Sequence, residues 1–246
     1  LPGVTISVDD VRQYDTTYAA HVLGRVGKIY REEYEELRSQ GYSLNDPLGK
    51  DGLAKAYESY LRGTDGTRVV QTNLDGDVTG IIEVEEPKPG NNVITTIDLD
   101  LQAVAEESLA STIADISQKS NGRDVEGGAV VVLDVDTFGV LACSSYPTYD
   151  VNQLVESIAG DGEYYNNLLA DENQPMVNLA LNGVFIPGSV FKPVVALAAL
   201  QEGVISAGTT YTCTRVWNYF DLSQGCLCGG GTWNLYGALA HSCNTY

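Results

Sequence analysis

Ile186-Pro187-Gly188-Ser189-Val190-Phe191-Lys192-Pro193 runs straight into Val194-Val-Ala-Leu-Ala-Ala-Leu200, and together they read as a sharp turn feeding a helix. Pro187 and Gly188 break whatever precedes them. The run 194–200 is apolar on every face, which predicts a buried helix rather than a surface one. Pro193 falls in the first turn, where a missing N–H costs little, and Gly203 is placed to end the helix. Ser189 and Lys192 stand three apart, on one face and within reach of each other. A serine hydroxyl is a poor nucleophile until a neighbour takes its proton. A neutral lysine can do this, and burial favours the neutral form. The helix N-terminus adds N–H groups for a developing oxyanion. The bland reading of such a pair is an N-cap serine beside a solvated lysine. A lysine leading into an apolar helix is harder to explain that way.

Working outward, a chain of 246 residues with 43% hydrophobic content has room for one or two domains with sizeable cores. The net charge of -19 argues against nucleic acid as a partner, because phosphates need a basic surface. No apolar run reaches transmembrane length. The chain opens on Leu1 without Met and reads as an excised piece. The five cysteines cannot all pair internally. One disulfide among Cys213, Cys226 and Cys228 is expected. A zinc site is the weaker reading, since His21 and His241 lack finger spacing.

Upstream, residues 4–8 predict a strand and 22–36 a helix. Residues 52–61 predict a second helix, and 69–84 strands broken at Asp75-Gly76. The charged, Pro/Gly-rich stretch 85–92 marks a domain boundary, dividing the chain into 1–90 and 91–246. Beyond it, 93–97 reads as a strand and Asp98 or Asp100 as a helix cap. The helix that follows puts Leu101, Val104, Ala105, Leu109, Ile113 and Ile116 on one face. Residues 128–135 and 139–144 form a hairpin. Residues 119–126 read as a polar linker, 152–176 as irregular with helical patches, 209–233 as loop, and 235–240 as a short helix.

That helix leads to Ser242-Cys243-Asn244. Ser-x-Asn alone is weak. Following Ser189-x-x-Lys192 in this order, it resembles the second motif of the serine acyl-transferases that bind penicillin. The flanks match too: Ile186 to Pro193, Ala238 to Tyr246, and Gly128-Ala-Val-Val-Val-Leu-Asp134 with Tyr146-Pro-Thr-Tyr-Asp-Val-Asn152. Arg12-x-Tyr14, Ala20-His-Val-Leu-Gly-Arg-Val-Gly27 and Leu61-Arg-Gly63 resemble the pedestal of the class B penicillin-binding proteins. Departures are Asp15, Ala54 and Gly230-Gly231.

The resemblance implies an α+β fold: an antiparallel sheet with helices on both faces plus an all-helical subdomain, preceded by an α+β pedestal. It implies a D,D-transpeptidase acting on peptidoglycan stem peptides and acylated by β-lactams, with no metal or organic cofactor. Ser189 would be the nucleophile, Lys192 its base, Ser242 a proton relay and Asn244 a holder of Lys192 and substrate. It further implies the extracytoplasmic face of a bacterial membrane, an anchor upstream of residue 1, and other cell-wall synthesis proteins as partners of the pedestal. A third motif, Lys-Thr-Gly or Lys-Ser-Gly, is nowhere in these residues and is expected downstream. A serine β-lactamase, a D,D-carboxypeptidase and a non-catalytic β-lactam sensor remain as alternatives.

Overall fold

The computed structural model describes residues 12–44, 46–119 and 125–246. The strand expected over 4–8 and most of the linker 119–126 lie outside these. The chain forms two compact units, 1–183 and 184–246, and no helix among the described residues is long and apolar enough to cross a membrane.

In the first unit the helix expected over 22–36 is replaced by three short elements: α1 (Ala20–Leu23), β1 (Val26–Lys28) and α2 (Arg31–Leu37). Gly24 is the reason. Its φ is +75°, and a Cβ there would collide with the Asp51 carbonyl. The chain must therefore turn at the point where the apolar spacing alone suggested continuity. Strand β2 (Pro47–Gly49) pairs antiparallel with β1. The helix expected over 52–61 is split at Tyr57 into α3 (Gly52–Ala56) and α4 (Glu58–Leu61). A long hairpin follows, β3 (Thr67–Thr72) with β4 (Val78–Glu85), and Asp75-Gly76 lies in its turn as expected.

Residues 93–97 form no regular strand. They run beside the next hairpin through Thr96 Oγ1, which donates to Val140 O at 2.7 Å, and Asp98 N–H, which donates to Leu141 O at 2.9 Å. Asp98 caps helix α5 (Leu99–Lys119) by accepting from Leu101 N–H at 3.0 Å. The hairpin pairs β5 (Gly128–Leu133) with β6 (Val140–Tyr146), close to expectation. The apolar stripe of α5 is only partly right. Ala105 and Ile113 are buried, but Val104 and Ile116 are exposed, and Gln102 takes their place in the core at 0% exposure. Its amide fits the edge of β6: Oε1 accepts from Cys143 N–H at 2.8 Å, and Nε2 donates to Cys143 O at 3.0 Å and Ser144 Oγ at 3.1 Å. A polar side chain is tolerated there because its partners are the backbone groups that would otherwise be unsatisfied.

Residues 152–176 are more helical than expected, with α6 (Val151–Ala159), capped by Asp150, and α7 (Glu163–Ala170). Helix α8 (Leu179–Asn182) closes the unit. Tyr14, Ala20, Tyr149, Val151 and Leu154 form its main core. Tyr14 also donates its hydroxyl to Gly24 O at 2.8 Å, and Asn152 accepts from Tyr14 N–H at 3.2 Å.

In the second unit a 3₁₀ turn, Gly188–Phe191, runs into α9 (Lys192–Gln201). Residues 209–233 are not loop but two small antiparallel pairs. β7 (Tyr211–Cys213) pairs with β10 (Gly231–Trp233), and β8 (Val216–Tyr219) with β9 (Leu222–Gly225). Helix α10 (Leu235–Ala240) falls where expected. The buried-helix expectation for α9 is corrected: none of its residues is buried, and Val194 and Leu197 are 53% and 66% exposed. The main contacts of α9 within its unit are to the 3₁₀ turn and α10, and these leave a helix apolar all round largely uncovered. All five sheets among the described residues are two-stranded and antiparallel.

Candidate active site

The second unit holds all four residues singled out from the sequence. Ser189 lies inside the 3₁₀ turn, whose entry is Gly188 at φ +56°, and Lys192 opens α9. A full helical turn does not separate them, and they meet through a third residue rather than directly. Ser242 Oγ donates to Ser189 Oγ at 2.8 Å, and Lys192 Nζ donates to Ser242 Oγ at 3.0 Å. The lysine ammonium also donates to Ser242 O and to Asn244 Oδ1, both at 2.6 Å. Its three protons thus have three protein acceptors. The burial that would favour a neutral Lys192 is not found. The side chain is half-buried, and Ser189, Ser242 and Asn244 are exposed. What surrounds the ammonium is a set of charge-assisted hydrogen bonds rather than an apolar wall.

The way α10 ends places Ser242. Ser242 N–H donates to Leu239 O at 3.1 Å and Cys243 N–H to Ala238 O at 2.8 Å. These are the two bonds of a Schellman close, in which the residue after the C-cap takes a left-handed conformation usually reserved for glycine. Ser242 occupies that place with φ +50°. A side chain in this region costs about 1–3 kcal/mol and persists only where the surroundings enforce it. Here it turns the hydroxyl and the carbonyl of one residue onto Lys192 together.

Asn244 is fixed from its other end. Its Nδ2 donates to Gly225 O at 3.0 Å and its backbone N–H to Cys226 Sγ at 3.1 Å. That sulfur belongs to a cluster which the sequence reading missed. Cys213, Cys226, Cys228 and Cys243 are free thiols whose Sγ atoms all lie within 4.8 Å of one another. The expected disulfide is therefore corrected. Sulfurs 3.4 Å apart, as in Cys213 and Cys228, or 3.8 Å apart, as in Cys226 and Cys243, are well beyond a bond of about 2.05 Å. The Asn244 amide, with that of Cys228, pulls the Cys226 thiol down to about 6. Cys228 goes up to about 11: the Gly230 amide favours its thiolate, but burial and the neighbouring sulfurs outweigh that. The missed signal was Cys243, which stands inside the second motif and was not counted with the other three.

Profiles of known families match both ends of the chain. Residues 1–95 match the penicillin-binding protein dimerisation domain and residues 128–246 the penicillin binding protein transpeptidase domain. The chain belongs to the class B penicillin-binding proteins. It is 37% identical over 215 residues to the peptidoglycan D,D-transpeptidase MrdA of Escherichia coli (strain K12), covering 85% of this chain and 31% of that protein. It is 31% identical to the Acinetobacter baumannii protein of the same name, over 100% of this chain and 35% of that one. The chain thus spans about a third of the length of these curated relatives. Among solved structures, it resembles a chain of a peptidoglycan synthase complex that coordinates polymerization and crosslinking, with TM-score 0.79, 34% identity, and 95% of this chain and 40% of that one covered. It also resembles a chain of the complex between PBP2 and MreC from Helicobacter pylori, with TM-score 0.71, 28% identity and coverage of 94% and 40%. The α+β class expected from the sequence is that of these neighbours.

Proposed function

We propose that this class B penicillin-binding protein cross-links peptidoglycan stem peptides as a serine D,D-transpeptidase. The observation that carries the reading is the continuous line Ser189 Oγ, Ser242 Oγ, Lys192 Nζ, with steps of 2.8 and 3.0 Å. Ser189 Oγ attacks the carbonyl carbon of the penultimate D-Ala, and the C–N bond to the terminal D-Ala breaks. A Lys192 that has first given up one of its three protons takes the Ser189 proton through Ser242 and returns it through Ser242 to the departing amine. An acceptor amine then takes the acyl group and frees Ser189. Asn244 holds Lys192 by its Oδ1, and its Nδ2, with one N–H on Gly225 O, keeps the second N–H for the substrate. A β-lactam acylates Ser189 by the same attack on its strained amide.

The family matches at 1–95 and 128–246 support the division proposed from the sequence. Residues 1–90 act as a pedestal and 91–246 belong to the transpeptidase domain. By the same likeness the protein works at the extracytoplasmic face of a bacterial membrane, and its pedestal meets other cell-wall synthesis proteins. The test is labelling of the protein with a fluorescent penicillin. Ser189 should carry the adduct, and Ser189→Ala should abolish it while leaving the far-ultraviolet circular dichroism unchanged. Adduct formation that persists in the alanine variant would remove Ser189 from its role.

A further inference from the structure

The β8–β9 hairpin carries a row of aromatic side chains that the relay at Ser189 does not use. Trp217 and Tyr219, two apart on β8, share one face of the hairpin. Their ring centroids are 5.4 Å apart and their planes 13° from parallel. Phe220 follows in the turn and meets Tyr219 edge-to-face at 4.4 Å. All three are exposed, Phe220 at 88%.

Stacked rings on a strand can simply stiffen a hairpin. Phe220 does not fit that reading. It is the first of the two turn residues, Phe220-Asp221, between the paired Tyr219 and Leu222, and its φ is +51°. Glycine, asparagine or aspartate is the usual occupant of such a place. Backbone strain of this kind collects where a chain binds something. A bulky ring that is strained, almost wholly exposed and absent from any core is explained by what it touches outside the chain.

The row begins at the candidate site. Gly225, the end of β9, accepts from Asn244 Nδ2 at 3.0 Å, and its neighbour Gln224 pairs with Trp217 across the hairpin. From Gly225 to Leu222 the strand advances three residues, about 10 Å. An extended peptide of about three residues spans the same distance. A group carried that far along a stem peptide therefore arrives at the rings. Its chemistry follows from the surface. Asp221 is the one charged residue from Val216 to Gly225, which suits a largely uncharged ligand. It does not suit a second copy of a chain whose net charge is -19. An uncharged ligand that pairs an apolar C–H face with polar edges is a pyranose sugar. Its C–H face packs on the electron-rich faces of aromatic rings, and its hydroxyl and acetamide groups have Gln224 and Asp221 as polar neighbours.

We propose that Trp217, Tyr219 and Phe220 bind an N-acetylated amino sugar of the glycan strand from which the stem peptide hangs. The choice of ligand rests on the transpeptidase reading of Ser189. The contact is non-covalent: it holds the strand while the peptide lies at Ser189. Because the rings already brace one another, little side-chain freedom is left to lose on binding.

The test is saturation-transfer nuclear magnetic resonance on the full-length protein with chitotetraose, the neutral tetramer of N-acetylglucosamine. Transfer from the unmutated protein to the sugar ring protons is expected, and Trp217→Ala should weaken binding about tenfold. Phe220→Gly relieves the turn, so it should weaken binding while the unfolding midpoint stays the same or rises, which separates lost contact from lost fold. Tyr211→Ala, on β7 of the same unit, should bind as the unmutated protein does. No transfer from the unmutated protein, full binding by Trp217→Ala and Phe220→Gly, or an equal loss in Tyr211→Ala would each overturn the assignment. Self-association that Trp217→Ala abolishes, with no sugar contact, would show that the row meets protein instead. Penicillin labelling of Ser189 in the unmutated protein is scored separately. Sugar contact without labelling would overturn the transpeptidase reading alone, and labelling without sugar contact would overturn this inference alone.

Discussion

Gln102 in α5 and Lys192 in α9 each draw partners from a distant stretch of chain, Gln102 from β6 and Lys192 from the end of α10. Gln102 is fully enclosed, and its partners are the backbone N–H and C=O of Cys143 with the side chains of Ser144 and Glu106. Lys192 is half-buried, and its partners Ser242 and Asn244 are exposed side chains and a carbonyl at a helix end. An amide that completes a strand edge inside a core rigidifies that core. A charged group whose partners face outward stays available to a substrate. Burial, more than the number of hydrogen bonds, separates the structural cluster from the chemical one.

The largest test of that contrast is Lys192→Gln. It should leave the unfolding midpoint nearly unchanged yet slow penicillin acylation by about 10²–10⁴-fold, the range for losing a positioned acid–base group. A matched loss of stability would erase the distinction. Gln102→Leu should do the reverse. It strands the buried N–H and C=O of Cys143, at about 1–3 kcal/mol for each, and denaturant unfolding should show the loss. An unchanged midpoint would mean that the β6 edge finds other partners.

Ser242→Gly sharpens the comparison from inside the site. Glycine relieves the left-handed conformation at the end of α10, so stability should rise by about 1 kcal/mol while acylation falls. A variant both less stable and less active would show that the serine side chain supports the helix end. The smallest effect concerns His21, whose Nε2 lies 2.7 Å from Pro175 O. Burial holds its pKa below the ordinary 6.5, so the unfolded chain takes up a proton first as pH falls. Its contribution is therefore full above about 6.5 and declines as pH drops toward the folded value. The urea midpoint of the unmutated protein should fall over that window more than that of His21→Gln. Parallel slopes would assign the acid sensitivity elsewhere.

What could be read from the chain follows the range of the interaction. That Ser189, Lys192, Ser242 and Asn244 would lie together was legible because each stands in a short motif with fixed neighbours. Helix α10 and the β5–β6 hairpin were legible because their periods are local. Gln102 was not, since its partners lie some forty residues away and nothing near Gln102 announces them. The break at Gly24 depends on the approach of the Asp51 carbonyl, a contact between separate segments. The strands at 211–233 were hidden because each is only three or four residues long, below the length at which alternation can be recognised. Cys243 was legible as a motif residue but not as the fourth member of a thiol set, since that grouping exists only once α10 has turned the chain back.

The line from Lys192 to Ser189 also has a polarity. As the hydrogen bonds stand, Lys192 gives to Ser242 and Ser242 gives to Ser189, so every proton points toward the nucleophile. Taking a proton from Ser189 requires the whole line to reverse, with the Ser242 hydroxyl swinging round to face a lysine that has shed one of its own. Two hydrogens then shift in one event rather than one. In mixtures of light and heavy water, the acylation rate should bow below a straight line as the deuterium fraction rises. On the proposed mechanism Ser242 would be a rotor that sets the direction of the relay, its hydroxyl orientation deciding whether Ser189 is at rest or armed.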